Sequence, residues 1–135
     1  MTISKKIVIF CLFLLILTGC TYTFSTDNIP DKLIFIKYNN GAISLNKEIA
    51  IGTHSYDAIN HILKNNNSGW KKSYDTYAPY MYFKSDNITI NFQNDLVIVN
   101  YQEKSSKKWL QIAKEIPGCK QYLIEAMLSD GISIN

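Results

Sequence analysis

The sequence predicts an α+β domain, in which a small antiparallel β-sheet is packed with helices. Two β-rich runs joined by "NNG" near residue 40 predict an N-terminal hairpin, and three short runs with a period of two between residues 80 and 101 predict a three-stranded meander. Apolar residues at helical spacing predict one central helix between the hairpin and the meander and two C-terminal helices after it. The fold class follows from this change between the two periods.

The hairpin comprises "KLIFIKY" and "AISLN", residues 32–38 and 42–46. Ile, Phe and Tyr pack well on a pleated surface and favour strands. The intervening Asn39, Asn40 and Gly41 tolerate the positive φ that a tight turn requires. We therefore expect two antiparallel strands with a short connection.

The central helix is predicted for "IGTHSYDAINHIL", residues 51–63. Thr53 or Ser55 can cap its N-terminus, and Asp57 lies in the first turn, where a negative charge is favourable. The polar run "KNNNSG" ends the helix. One apolar stripe runs along it and consists of Tyr56, Ile59, Ile62 and Leu63.

The meander comprises "YMYFK", "ITINF" and "LVIVNY", which are separated by turns rich in Ser, Asp and Asn. Ile88, Ile90 and Phe92 point to one face of the predicted sheet. Thr89 and Asn91 point to the other face, so we expect that second face to be exposed to solvent.

Two helices are predicted at the C-terminus. In the first, Ser105 or Ser106 caps "KKWLQIAKEI", residues 107–116, whose apolar face consists of Trp109, Ile112, Ala113 and Ile116. The dipeptide Pro-Gly then breaks the helix. The second helix covers residues 119–128 and ends before Gly131, because glycine is favoured after a helix C-terminus.

The first 19 residues have the organisation of a secretory signal. Lys5 and Lys6 form a positive n-region, and residues 7–16 form an apolar h-region that is shorter than the roughly 20 residues needed to span a membrane. The following "LTGC" resembles the lipobox of bacterial lipoproteins. The resemblance implies cleavage by the lipoprotein signal peptidase, acylation of Cys20 and anchoring by several acyl chains such as palmitate. An uncleaved anchor with an incidental cysteine is the alternative.

The expected domain organisation follows from this signal. Residues 1–19 are removed, residues 20–31 form a polar tether that contains one proline, and residues 32–135 form a single α+β domain. Thr21, rather than an aspartate, follows the acylated position, which resembles the sorting signal for the outer membrane. We therefore expect a lipid-anchored protein of the outer membrane that faces the periplasm.

The mature chain is almost neutral. Lys5 and Lys6 leave with the signal, so that 12 lysines face 11 carboxylates in 116 residues. The chain has no arginine, and bidentate guanidinium contacts to phosphate are unavailable to it. We therefore expect no nucleic-acid partner.

Catalytic sequence motifs are absent. The chain has no Gly-rich phosphate loop, no Gly-x-Ser-x-Gly, no Cys-x-x-Cys and no His-Glu-x-x-His. His54 and His61 lack further ligands at metal-binding spacing, and the i, i+4 pair of Asp57 with His61 is also a common helix-stabilising pair. We predict no enzyme activity, no catalytic residue, no metal and no cofactor, with a small hydrolase as a distant alternative.

Cys119 is the single free thiol that remains once the signal is removed and Cys20 is acylated. An intramolecular disulfide is therefore excluded in the mature chain. A nucleophile or an intermolecular bridge are two uses of such a thiol, but a buried small hydrophobe is the usual one.

An aromatic segment, "GWKKSYDTYAPYMYF", covers residues 69–83. Tyrosine and tryptophan are enriched in protein-binding surfaces, and recognition residues concentrate in loops. We therefore predict that Trp70, Tyr74 and Tyr77 bind a protein partner, with packing in the core as the alternative. The last three aromatic residues of the segment belong to the predicted meander instead.

Two family resemblances bear on function. Residues 49–101, with "IGTHSYDAINHIL", "ITINF" and "LVIVNY", resemble the helix and meander of outer-membrane lipoproteins related to the assembly subunit BamE, which are non-enzymatic adaptors. A short lipoprotein with one compact domain and no catalytic motif is also similar to the immunity lipoproteins that protect bacteria from periplasmic effectors delivered by type VI secretion. The second resemblance implies direct binding of an effector toxin. The first implies an envelope adaptor or a pilotin-type lipoprotein that supports an assembly or secretion complex.

Overall fold

The computed structural model describes residues 19–134. Within these residues, seven strands and two α-helices follow a 3-10 helix, Thr26–Asn28. The strands are β1 (Lys32–Asn39), β2 (Ala42–Ala50), β3 (Lys71–Lys72), β4 (Met81–Lys84), β5 (Ile88–Gln93), β6 (Leu96–Gln102) and β7 (Trp109–Glu115), and the helices are α1 (His54–Asn65) and α2 (Cys119–Ser129). The strands form one sheet in the order β2-β1-β4-β5-β6-β7-β3, and all neighbours are antiparallel. The predicted α+β class is confirmed.

The core lies between the two helices and one face of the sheet. Alternate strand residues point toward the helices, and among them Leu33, Phe35, Phe83 and Ile90 are fully buried. We call this side of the sheet the helix face and the opposite side the outer face.

The N-terminal hairpin has the predicted turn. Asn40 and Gly41 connect β1 to β2, with φ angles of 50° and 78°. Positive φ at both positions of a two-residue turn is the pattern of type I′, whose twist matches that of the strands it joins. The prediction from "NNG" is therefore confirmed.

The central helix and the meander are also confirmed. Thr53 is the N-cap of α1, and its side chain accepts a hydrogen bond from the backbone N–H of Tyr56 (3.2 Å). The predicted apolar stripe of α1 is buried. In the meander formed by β4, β5 and β6, Ile90 lies opposite Phe83 on one side and Val99 on the other.

The predicted helix at residues 107–116 is wrong, because this stretch forms β7. Seven residues of β7 pair with β6, from Trp109 opposite Gln102 to Glu115 opposite Leu96. The physical reason is that β6 would otherwise present an unpaired edge, whose N–H and C=O groups gain partners from β7. Ile112 was predicted on the buried face of a helix, and it is buried in the strand too. A single apolar position is compatible with the helical period and with the strand period.

The C-terminal region therefore contains one α-helix instead of two. Ser105 and Ser106 lie in the turn before β7 and cap no helix. The second predicted helix is confirmed as α2, with Leu123 and Met127 in the core. Gly131 follows its C-terminus with a φ of 73°, as the sequence predicts.

The predicted tether at residues 20–31 is wrong for most of its length. Tyr22 forms an antiparallel bridge with Trp70, and Phe24 is fully buried against Trp70 and Tyr101. Ile29 is buried as well. These apolar side chains anchor a segment whose other residues are polar, so the folded domain begins at about Tyr22.

The signal peptide predicted for residues 1–19 lies outside the described residues except for Gly19. Cys20 is described and is exposed. Across residues 19–134, no helix combines the length and the apolar character that crossing a membrane requires.

Candidate binding groove

A segment without regular secondary structure, residues 73–80, crosses the outer face of the sheet. It starts beside β7, where the N–H of Ser73 donates to a β7 carbonyl (3.0 Å), and ends beside β1, where the Tyr80 carbonyl accepts from a β1 N–H (2.9 Å). Between these points, the Tyr77 hydroxyl accepts a hydrogen bond from the side-chain amide of Asn100 on β6 (2.8 Å). We call residues 73–80 the strap, because hydrogen bonds attach it to three strands.

The strap covers the middle of the outer face. Asn91 and Ile98 point away from the helices, yet they are only 1% and 3% exposed. Thr89 is half-buried. The predicted solvent-exposed face around Thr89 and Asn91 is therefore wrong at Asn91, because a segment predicted as a loop lies over it.

A groove of about 920 Å³ opens beside the strap. Its floor is apolar: Leu96 and Ala113 are half-buried there, and Ile98 lies at the covered side of the groove. Charged side chains of both signs surround the floor, and these are Lys71, Lys72, Asp75, Lys114 and Glu115. An apolar centre with a polar rim is the usual composition of a protein-binding surface.

Tyr74 and Tyr77 of the strap line this groove. Tyr74 is 81% exposed, and the ammonium nitrogen of Lys72 lies 5.1 Å from its ring centroid. Tyr77 is half-buried, and burial raises the pKa of its hydroxyl, although the hydrogen bond from Asn100 opposes that rise. The Tyr74 ring is therefore free to contact a partner, whereas Tyr77 chiefly holds the strap on β6.

The predicted surface role of Trp70 is wrong. Its side chain is fully buried, and its indole N–H donates to the Asn66 carbonyl (2.6 Å). Trp70 precedes β3 directly, and the bridge to Tyr22 fixes its backbone so that the ring points to the helix face. Of the three predicted contact residues, the structure brings only the two tyrosines to the groove.

Cys119 is buried, in agreement with its interpretation as a small core residue. Its thiol lies 3.6 Å from the Asn94 carbonyl. Burial raises the pKa of this thiol, and the nearby carboxylate of Asp95 raises it further, so the reactive thiolate is disfavoured. A buried neutral thiol is poorly suited to be a nucleophile or an intermolecular bridge.

The two histidines lie apart from any constellation of metal ligands. His54 Nδ1 is 2.9 Å from the Asp130 carboxylate, and the His61 ring contacts Asn65 and the Tyr122 ring. Among residues 19–134, no group of three or more His, Cys, Asp or Glu side chains is arranged to hold a metal ion.

Asp130 is the polar residue that sequence reasoning missed. Its carboxylate accepts hydrogen bonds from the backbone N–H groups of His54 (3.0 Å) and Ser55 (2.7 Å) and from the Ser55 hydroxyl. Burial tends to raise the pKa of Asp130, but the hydrogen bonds from Ser55 and His54 outweigh it and lower the pKa to about 2. Asp130 thus caps α1 from the far end of α2, a contact across some 75 residues that leaves no local sequence signal.

Comparisons with known proteins do not assign the groove. No protein-family model matches the chain, and neither a curated protein nor a solved structure matches it. The resemblances drawn from the sequence therefore stay predictions.

Proposed function

We propose that this chain is a lipoprotein of the outer membrane, anchored through Cys20, that binds a protein partner in the periplasm. The specific role we propose is that of an immunity protein, which neutralises a periplasm-acting type VI effector toxin by direct binding. The observation that carries the binding role is the groove, in which an apolar floor lies next to the exposed ring of Tyr74. A tyrosine ring offers wide, rigid contact area at a small cost in conformational entropy.

The anchor is supported by two features of the N-terminal region. The motif "LTGC" resembles a lipobox, and Cys20 is exposed at the start of the folded domain. Two or more acyl chains give stable membrane attachment, whereas one is marginal. An inhibitor attached in this way meets an incoming toxin at a high effective concentration.

The groove suits inhibition by occlusion. The strap borders it on one side and is held before any partner arrives. Its Tyr77 and Ser73 hydroxyls and one backbone carbonyl accept hydrogen bonds from side-chain amides of β6 and β7. A preorganised surface loses little entropy on binding. A loop of the toxin that is bound in the groove would no longer be accessible to the toxin's substrate.

The test is titration of a co-encoded effector against a Tyr74→Ala variant, with Tyr122→Ala as the matched control. Tyr122 is also an exposed tyrosine, but it lies on α2, away from the groove. Loss of a central aromatic contact costs about 2 kcal/mol or more, so we expect affinity to fall roughly thirtyfold for Tyr74→Ala. The control should bind as the parent does, and both variants should keep the parent's melting temperature.

Other outcomes separate the alternatives. If the two variants bind equally well, the groove is not the contact surface. If no neighbouring gene encodes an effector and the chain co-purifies with a resident secretion or assembly complex, the adaptor or pilotin role replaces immunity.

A further inference from the structure

Only Thr21 separates Cys20 from Tyr22, whose backbone is fixed in the folded domain. The N–H of Tyr22 donates to the Trp70 carbonyl (2.7 Å), and the N–H of Trp70 donates back to the Tyr22 carbonyl (3.2 Å). Two extended residues span at most about 7 Å, which limits the distance from Cys20 to Tyr22. Acyl chains on Cys20 would therefore hold this edge of the sheet at the membrane surface.

The bridge also fixes the direction in which the chain leaves the domain. Because Tyr22 lies antiparallel to Trp70, Cys20 lies toward Lys72, the last residue of β3. Lys72 is exposed, and its ammonium nitrogen lies over the Tyr74 ring. Lys72 pairs with Ile112 in the middle of β7, so the acylation site lies at the sheet edge beside that point, on the side of Tyr22 nearer to Trp109.

The loop between β6 and β7, residues 103–108, closes the end of the sheet toward which Cys20 lies from Tyr22. One carboxylate, Glu103, lies in it, and its three lysines are exposed. These are Lys104, Lys107 and Lys108. The Lys104 ammonium donates to the Asp27 carbonyl (3.0 Å), which attaches the loop to the segment that follows the acylation site. The carboxylates nearest to the loop are Glu103, Asp27 and Asp86, so the loop lysines together with Lys72 and Lys84 leave a small local positive excess.

Trp109 follows the loop directly and is 57% exposed. Its neighbour Lys108 is exposed as well. Tryptophan favours the membrane–water interface, because its ring is apolar and its indole N–H is polar. Lysines beside an exposed tryptophan are the composition of surfaces that bind anionic membranes.

We propose that this end of the sheet, formed by Lys72, the loop at residues 103–108 and Trp109, binds anionic phospholipid headgroups and orients the domain on the membrane. The proposal rests on the proposed acylation of Cys20, but it requires no protein partner. The lipid chains supply attachment, and the lysines supply orientation. The apolar floor of the groove lies on β6 and β7, away from the loop, whereas Lys72 belongs to both surfaces.

The test uses the acylated full chain, reconstituted in vesicles of phosphatidylcholine with or without phosphatidylglycerol. The fluorescence of Trp109 reports contact with the lipid, because the other tryptophan, Trp70, is buried in the core. Quenching by lipids brominated near the headgroup is measured, and a Trp109→Phe variant gives the signal of Trp70 to subtract. We expect strong quenching of Trp109 with phosphatidylglycerol at low salt, and its loss at high salt.

The loop variant replaces Lys104, Lys107 and Lys108 with glutamine. The matched control replaces three lysines away from that end of the sheet, Lys47, Lys64 and Lys120. Each lysine near an anionic surface contributes roughly fivefold to the attraction, so quenching should fall at least about twofold in the loop variant and be unchanged in the control.

Three outcomes would overturn the proposal. Equal quenching in both lysine variants, or equal quenching with and without phosphatidylglycerol, would show that the lysines do not contact the lipid. Either result would leave the proposed function unaffected. Absence of palmitate labelling at Cys20 would refute both the proposed anchor and the proposed orientation of the domain. A loop variant that keeps its binding to an effector but loses quenching supports the orientation independently of the groove.

Discussion

Replacement of Asp130 by asparagine should destabilise the domain at neutral pH. The carboxylate of Asp130 accepts hydrogen bonds from the backbone and side chains of both His54 and Ser55, which are the first two residues of α1. Asparagine retains one oxygen acceptor, but it has no charge and turns an NH₂ group toward these donors. The change therefore weakens the contact between the start of α1 and the end of α2 with little change in volume.

The expected magnitude follows from the pKa of Asp130. Burial would raise this pKa, but the hydrogen bonds from Ser55 and His54 lower it from 3.8 to about 2. One pKa unit corresponds to about 1.4 kcal/mol, so the ionised carboxylate contributes roughly 2 kcal/mol to the free energy of unfolding. The Asp130 side chain is only 13% exposed, so solvent screens this contribution weakly.

The pH dependence has a definite sign. The unfolded chain binds a proton at Asp130 more strongly than the folded domain does, so falling pH favours unfolding. The stabilisation is complete above about pH 4 and is lost as the pH falls toward about 2. Urea unfolding of residues 21–135 should show a parent-minus-variant difference of roughly 2 kcal/mol at neutral pH that shrinks across this window.

Asp86→Asn is the control, because Asp86 is exposed in the turn between β4 and β5. It should differ from the parent by about 0.5 kcal/mol or less at every pH. The reasoning fails if Asp130→Asn is as stable as the parent at neutral pH, or if the loss of stability is the same at neutral and acid pH.

Three further predictions concern the N-terminal segment and the thiols. Phe24→Ala should lower the free energy of unfolding by about 3 to 5 kcal/mol, because Phe24 is fully buried. The control Thr23→Ala should change it little, because Thr23 is exposed. Equal melting temperatures of the two variants would show that residues 20–31 are a tether after all. Cys20→Ser should accumulate as an unprocessed precursor without palmitate label, and unchanged labelling and fractionation would refute the lipobox. Residues 21–135 should melt at the same temperature with and without reductant, because Cys119 is buried; a drop on reduction would reveal an intermolecular disulfide.

Local signals were sufficient where an element depends on a few adjacent residues. Asn40 and Gly41 specify a turn by their own φ preferences, and Thr53 caps α1 through an N–H three residues away. Strand β7 shows the opposite case. Its sequence fits a helical stripe, and it forms a strand because β6 offers a free edge, which is a property of another part of the chain.

The candidate site was harder to predict for the same reason. The position of the strap depends on hydrogen bonds to three strands, and the direction of Trp70 depends on its bridge to Tyr22. Composition alone identified an aromatic segment but could not separate the exposed Tyr74 from the buried Trp70. The same limit applies to Phe24, whose apolar ring was outweighed by polar neighbours in the predicted tether.

The proposed anchor and the groove together restrict how a partner can approach. Lys72 and Tyr74 lie at the end of the groove nearest Cys20, whereas Glu115 lies at the far end of β7. With that first end held at the membrane, the groove would extend away from the lipid surface and open sideways. Because only Thr21 connects Cys20 to Tyr22, the domain would lose little rotational freedom when it binds a partner, which favours affinity without any additional contact.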